Sequence, residues 1–347
     1  PPTNYLIVGE KVRRGASVSF ALQKLDSDAP PQFLRLSVYQ HRDTGRRIEL
    51  CERPNPVIDL VPWFRPTNDG RVFVIAKQGY PRPLVNADAQ SPNLDNANVA
   101  GYLTEPFIIT LPAAAATPQN ITNLLAERSP LPKESIRSVT EGLRYFTSPG
   151  GLNERATSYL VELSADGLNP EARWLGGAEE VRNYTSFSSA GQVRPLLATQ
   201  LLRAAEVGGL LDARLELNTY HLLRELGESL GPWIGADITL REQPAVDGLL
   251  SADDVAAMLS EQDGAVFVPC AERGAEFLQV CTASIREVDA RGQELSSTRL
   301  EYALPRPTSS NTLSALPVLR AGGEIYVGLE VRELPAVQVY KIGRAHV

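Results

Sequence analysis

The chain has 347 residues and a formal net charge of −7, which at roughly 100–200 residues per domain predicts two domains. With 43 % hydrophobic and 22 % charged residues, a disordered chain is excluded. No apolar run reaches the roughly 20 residues that span a bilayer, and the acidic balance argues against a nucleic-acid surface as the main function.

Three cysteines, Cys51, Cys270 and Cys281, show no C-x-x-C spacing, so neither a disulfide framework nor a zinc site is expected. With only three histidines, His41, His221 and His346, any divalent metal has to sit on carboxylates, as a hard ion such as Mg²⁺ does. The 34 basic residues divide into 29 arginines and five lysines, the usage of a GC-rich bacterial genome. The chain begins Pro1-Pro2 and closes on Lys341 to Val347, a heptapeptide resembling a translated sequencing adapter. Residues 341–347 are expected to be a non-native tail.

In chain order, residues 1–32 read as an N-terminal arm. Phe33 to Tyr39 alternates as a strand, Thr44-Gly45 turns, and Arg47 to Cys51 returns. Pro56 to Phe64 and Arg71 to Gln78 are further strands around the hairpin turn Asn68-Asp69-Gly70. Pro81 to Asn98 reads as a polar loop, and Phe107 to Leu111 as a strand. Thr117-Pro118 supplies an N-cap and an N1 proline for a helix to about Arg128, before Pro130. Ile136 to Phe146 and Thr157 to Leu163 are strands flanking Ser148-Pro149-Gly150-Gly151. Ser188 to Val207 and Leu211 to Leu226 have helical periodicity, broken at Gly208-Gly209.

Gly231 to Asp263 reads as a connector holding a short helix, with Ser251 as its cap and Asp254 at the third position. The first pattern then restarts. Phe277 to Cys281 parallels Phe33 to Ser37. Leu313 to Arg320, Gly322-Gly323 and Glu324 to Glu330 parallel Val57 to Arg65, the Asn68 turn and Arg71 to Lys77. Order and turn placement both match, which makes this an internal repeat. The expected division is an arm (1–32), a complete unit (33–230), a connector (231–264) and a truncated second unit (265–340).

The most specific stretch is Tyr145-Phe-Thr-Ser148-Pro149-Gly150-Gly151-Leu-Asn-Glu154-Arg155. By itself it describes a tight loop followed by a solvated glutamate. In context it resembles the catalytic-loop region of the ADP-ribose and ADP-sugar pyrophosphatases of the Nudix superfamily. The resemblance continues upstream through Glu49-Leu-Cys-Glu-Arg53, Val57 to Phe64, Val72 to Gln78 and Glu105 to Ala113. Downstream it continues through Gly177-Ala-Glu-Glu-Val181 and Gly209 to Ala213. It covers about residues 33–226 and recurs, truncated, in about 277–340.

The resemblance implies an α+β chain: a Nudix-like α/β/α sandwich with a mixed sheet, followed by a partial second Nudix-like β-rich unit. It implies Glu154 as the general base that activates water, and Arg82, Ser148, Pro149, Gly150, Gly151 and Arg155 as substrate contacts. The substrate would be a nucleoside diphosphate sugar such as ADP-ribose, with Mg²⁺ as cofactor if the site is active. The family's box, G-x5-E-x7-R-E-U-x-E-E-x-G-U with U aliphatic, sets glutamates on one helix face to hold Mg²⁺ against a pyrophosphate. Here Asn123 stands for its Arg, Leu124 for its first Glu, Arg128 for one of the paired glutamates and Pro130 for its Gly. Ala113 to Ala116 fill the place of its glycine turn. Glu127 alone remains as a metal ligand. In the other register, with Arg128 on the box Arg, Ser129, Pro132 and Lys133 take the glutamate positions. The family's Gln-x-Arg is altered to Gln78-Gly-Tyr80-Pro-Arg82.

The expected function is therefore a Nudix-superfamily domain that has lost hydrolysis and is retained for nucleotide binding or as a scaffold. The second reading is an active Mg²⁺-dependent hydrolase using Glu154. The chain is expected to be cytoplasmic, without nucleic-acid or membrane partners, and either a homodimer or an intrachain pseudo-dimer of its repeats. Glu179-Glu180 read as a solvated strand edge and His221 as structural or exposed. Cys51 and Cys281 read as buried small hydrophobes. Trp63, Trp174 and Trp233 lack the interleaved basic residues of an RNA platform.

Overall fold

The computed structural model describes residues 5–13, 16–53, 56–68, 70–78, 104–112, 115–148, 151–172, 174–175, 192–206, 212–228, 267–270, 275–289, 291–305, 318–321 and 324–327. The strands in chain order are β1 (Tyr5–Arg13), β2 (Ala16–Ser27), β3 (Arg35–His41), β4 (Arg47–Glu52), β5 (Val57–Phe64), β6 (Phe73–Gln78), β7 (Thr104–Glu105), β8 (Phe107–Thr110) and β9 (Ile136–Phe146). They continue as β10 (Leu152–Asn153), β11 (Arg155–Leu163), β12 (Trp174–Leu175), β13 (Gln192–Leu197), β14 (Phe267–Pro269), β15 (Leu278–Asp289), β16 (Glu294–Pro305), β17 (Val318–Ala321) and β18 (Glu324–Val327). The helices are α1 (Pro118–Arg128), α2 (Ala198–Glu206) and α3 (Ala213–Glu225). The chain is mixed α+β, with a large mixed sheet and few helices.

The main sheet has the order β12-β13-β6-β5-β11-β9, with β7 on β6 and β8 on β5. β5 and β11 run parallel in the middle, and β9 closes antiparallel on β11. A central parallel strand is covered on both faces, so β5 reads as a nearly continuous apolar run. Its side chains alternate. Ile58, Leu60 and Phe64 pack with Ile121 and Leu125 of α1. Val61, with Val74 and Leu160 of the neighbouring strands, packs against Leu202 of α2 and Leu215 and Leu222 of α3. The sheet is thus sandwiched between α1 on one face and α2–α3 on the other, and Asp59 shares the α3 face.

The helix boundaries follow local chemistry. Thr117 Oγ1 accepts from Asn120 N at 3.3 Å, and Pro118 follows at the first turn, where its missing N–H costs nothing. Asp212 caps α3 by accepting from Leu215 N at 2.8 Å. The helix expected from Ser188 to Val207 is corrected over 192–197. That stretch is strand β13, antiparallel to β6, and α2 begins only at Ala198. Pro195 is the reason, because a proline inside a helix removes a bond and clashes with the preceding turn.

Residues 5–13 and 16–27 of the expected arm pair antiparallel as β1 and β2, and β2 pairs antiparallel with β15. Within 265–340, expected as a partial second unit, β14 pairs with β3 and β15 with β2. Among the described residues there, the β17–β18 hairpin forms a sheet by itself. The connector at 231–264, with Ser251 and Asp254, lies outside the described residues, as do the Pro81–Asn98 loop, Glu179-Glu180, Trp233 and the 341–347 tail. Among the described residues no helix is long and apolar enough to cross a membrane.

The exchange between the two ends of the chain is reciprocal. Ser27, Asp26 and Leu25 of β2 lie opposite Thr282, Ala283 and Ser284 of β15. Pro269 and Val268 of β14 lie opposite Tyr39 and Gln40 of β3. Two carboxylates close it. Glu301 on β16 accepts from the backbone N–H groups of Gln32, Phe33 and Leu34 at 2.6, 2.8 and 2.8 Å. Glu49 on β4 accepts from those of Glu276, Phe277 and Leu278 at 2.6, 3.0 and 2.7 Å.

Candidate functional site

The loop singled out by sequence is drawn onto β4. Gly151 N donates to Ser148 O at 3.1 Å, and Gly151 O accepts from Cys51 N at 2.8 Å. Leu152 and Asn153 then lie parallel to Cys51 and Glu52 as β10. Glu52 fixes the corner. It accepts from Tyr39 Oη at 2.5 Å, Ser37 Oγ at 2.9 Å and Asn153 Nδ2 at 3.4 Å. Burial is the first cause that pushes the Tyr39 hydroxyl above its ordinary pKa, and the Glu52 carboxylate adds to it. Burial likewise raises the Cys51 thiol to about 11, which makes it an inert packing group.

The next residue is Glu154, and here the structure corrects the reading of a solvated acid: Glu154 is 2 % exposed. Strand alternation turns it, with Ala156 and Leu160, toward α3. Oε1 meets a terminal nitrogen of Arg214 and accepts from Thr147 Oγ1 at 3.0 Å. Oε2 stands 2.7 Å from Arg53 Nε, an ion pair without hydrogen-bond alignment. The other arm of Arg214 lies 3.3 Å from Oδ1 of Asp59, which is fully buried. Tyr145 Oη donates to Asp59 Oδ2 and accepts from Asn218 Nδ2, the latter at 3.3 Å.

Electrostatics follow from this packing. Burial pushes the Asp59 carboxyl above its ordinary value, against the Arg214 charge and the Tyr145 hydrogen bond. Burial also works against the Arg214 charge, but Asp59 and Glu154 outweigh it and the guanidinium is held more firmly charged. Tyr145 is pushed up by burial first and then by the Asp59 charge. The centre is an alternating row of acid and base: Arg53, Glu154, Arg214, Asp59.

The other expected site residues fall as follows. Ser148 is exposed, Gly151 and Arg155 are half-buried, and Arg155 opens β11 opposite Phe146. Pro149, Gly150 and Arg82 lie outside the described residues. Glu127 is exposed near the end of α1, on the sheet face away from α3, so the fold does not bring it to Glu154. Among the described residues no group of three or more His, Cys, Asp or Glu side chains could hold a metal. These donors do not fit Mg²⁺. A guanidinium already lies between the two carboxylates, and a divalent ion placed there would face it at like charge.

Sequence reasoning did not single out Arg53, Asp59, Thr147, Arg214 or Asn218. Two signals were present. Asp59 is a lone acid inside an apolar central strand, and such a charge is buried only with a partner. Arg214 is a cation in the first turn of a helix, where the macrodipole disfavours it.

Arg53 also faces outward. Its guanidinium lies 5.7 Å from the ring centre of Phe33, which is 42 % exposed. An exposed ring beside a guanidinium is a flat stacking surface.

No protein-family model matches this chain, and no curated protein matches it. A solved structure described as an ADP compounds hydrolase resembles it with a TM-score of 0.31 and 10 % identity, over 65 % of this chain and 97 % of that one. A likeness of that size carries no argument about fold or activity.

Proposed function

We propose that residues 33–230 form a Nudix-like domain that no longer hydrolyses nucleotides and is retained to bind a nucleoside diphosphate sugar or to act as a scaffold. One observation carries this reading. Glu154, the base implied by the family resemblance, is 2 % exposed and paired with both Arg53 and Arg214. A general base needs a lone pair aimed at a reacting water. A carboxylate enclosed by two guanidiniums has no free face to offer one. The box residues point the same way, since Leu124 and Arg128 stand where the family has acids that would hold Mg²⁺.

The Arg53–Phe33 surface supports the binding arm of this reading, because an exposed ring with a guanidinium 5.7 Å from its centre offers a purine a face to stack on. The reciprocal pairing of β2 with β15 and β14 with β3 favours an intrachain pseudo-dimer over a homodimer.

The test is incubation with ADP-ribose and Mg²⁺, followed by AMP release and by calorimetry. Saturable binding without turnover, weakened in Phe33→Ala, is expected of a nucleotide-binding domain. Absence of binding leaves the scaffold role. Turnover that disappears in Glu154→Gln would overturn the non-hydrolytic reading and establish the active enzyme.

A further inference from the structure

Glu49 and Glu301 do the same thing at two places far apart in sequence. Each sits on the second strand of a hairpin, β3–β4 or β15–β16. Each carboxylate gathers three consecutive backbone N–H groups from the lead-in of the other hairpin. The lead-ins correspond residue by residue: Gln32-Phe33-Leu34 before β3, and Glu276-Phe277-Leu278 running into the first residue of β15. The strand before each lead-in pairs with the other hairpin in matching places. Thr282 Oγ1 donates to Ser27 O at 2.8 Å, and Cys270 N donates to Val38 O at 2.8 Å.

These contacts form a closed ring. The Gln32–Leu34 lead-in is covalently joined to β3, and β3 is hydrogen-bonded to β4. β4 carries Glu49, which holds the Glu276–Leu278 lead-in. That lead-in is joined to β15, which is bonded to β16, and β16 carries Glu301, which returns to Gln32–Leu34. A ring closed by two non-covalent locks differs from two separate contacts. The β2–β15 and β14–β3 ladders hold the two hairpins together; within that frame a closed lock fixes the spacing of the other and raises its effective concentration, so opening one weakens its counterpart.

We infer that Glu49 and Glu301 are paired locks of a pseudo-two-fold strand exchange, so that the two lead-ins open and close as one cooperative unit. This rests on the intrachain-repeat reading above and adds to it the coupling between the units. The carboxylates are suited to the task. An ionised acceptor forms stronger bonds than a neutral one, and each carboxylate here satisfies three consecutive N–H groups at once.

Native-state hydrogen exchange on the intact protein tests this in two ways. In the wild type under increasing denaturant, amides of Gln32–Leu34 and Glu276–Leu278 are expected to merge into a single opening transition. In Glu301→Gln, exchange is expected to rise about tenfold or more at Gln32–Leu34 and to rise clearly at Glu276–Leu278 as well, although Glu301 does not bond that lead-in. Glu49→Gln gives the mirror image. Separate transitions in the wild type, or a strictly local effect in either variant, would overturn the coupling. The wild-type series keeps the test decisive if a variant fails to fold. Sedimentation tests the underlying reading separately: a dimer of chains in which the two repeats of one chain do not touch would overturn the intrachain exchange, whereas a monomer with uncoupled lead-ins would overturn only the locks.

Discussion

Arg214 stands 3.3 Å from Asp59 and spans from there to Glu154, so one side chain of α3 ties β5 to the start of β11. A cation in the first turn of a helix opposes the macrodipole. Two buried acids reverse that balance. The relationship also encloses the Glu154 carboxylate, which is 2 % exposed and has guanidiniums on both oxygens.

The first prediction follows from this pairing. Arg214→Met keeps most of the side-chain volume but leaves Asp59 and Glu154 buried without their shared cation. Removing one partner of a buried pair costs about 3–5 kcal/mol. Urea unfolding followed by circular dichroism measures it. A loss under about 1 kcal/mol, the range of exposed pairs, would mean that the row is solvated.

Much of the main sheet was legible in the sequence, because its signals are local. The Asn68–Gly70 turn, the apolar run of β5 and the Thr117-Pro118 cap each depend on neighbouring residues. The β1 and β2 strands were not legible, since β2 finds its partner in β15, more than 250 residues away. Residues 192–197 imitated a helix through Val193, Leu196 and Leu197, and Pro195 was the discordant residue. The Glu154 loop was found through family resemblance, but its burial was not. That burial depends on Arg53 and Arg214, which converge on it only in the folded chain.

A second prediction concerns the floor beneath His221. A Cβ on Gly142 would lie 2.7 Å from Ser158 Oγ and 3.3 Å from His221 Cδ2. Ser158 cannot swing aside, because its hydroxyl accepts from Leu143 N at 2.8 Å and is fully buried. Gly142→Ala is expected to cost about 1–3 kcal/mol as overpacking. Adding Ser158→Ala removes the clashing oxygen and should return part of that loss. If the double variant is no better than the sum of the single ones, the clash is not the cause.

The cap of α1 gives a third. Thr117 is exposed, so its hydroxyl contributes through Asn120 N and not through packing. Thr117→Ala is expected to cost about 1 kcal/mol, and Thr117→Ser very little. Equal losses in the two variants would assign the effect to the threonine methyl.

The last prediction concerns pH, where two kinds of carboxylate act with opposite sign. For Glu49 and Glu301, burial raises the pKa but three backbone N–H bonds each outweigh it, so both lie below the ordinary 4.5. The fold therefore favours their ionised form. Their contribution is fully present above pH 4.5 and is lost as pH falls through the lowered values. Asp59 lies above its ordinary 3.8, chiefly through burial. The fold favours its protonated form, so its contribution is present below that value and is lost as pH rises through the raised one. Urea midpoints measured from about pH 3 to pH 7 separate the two. Glu49→Gln and Glu301→Gln should each flatten the acid limb, because a carboxylate that must be protonated has been removed. Asp59→Asn should steepen it, because the opposing group is gone. The slope is the decisive quantity, since all three variants also lose contacts at every pH. An unchanged acid limb in both glutamine variants would mean that Glu49 and Glu301 are not among the carboxylates whose protonation destabilises the fold at low pH.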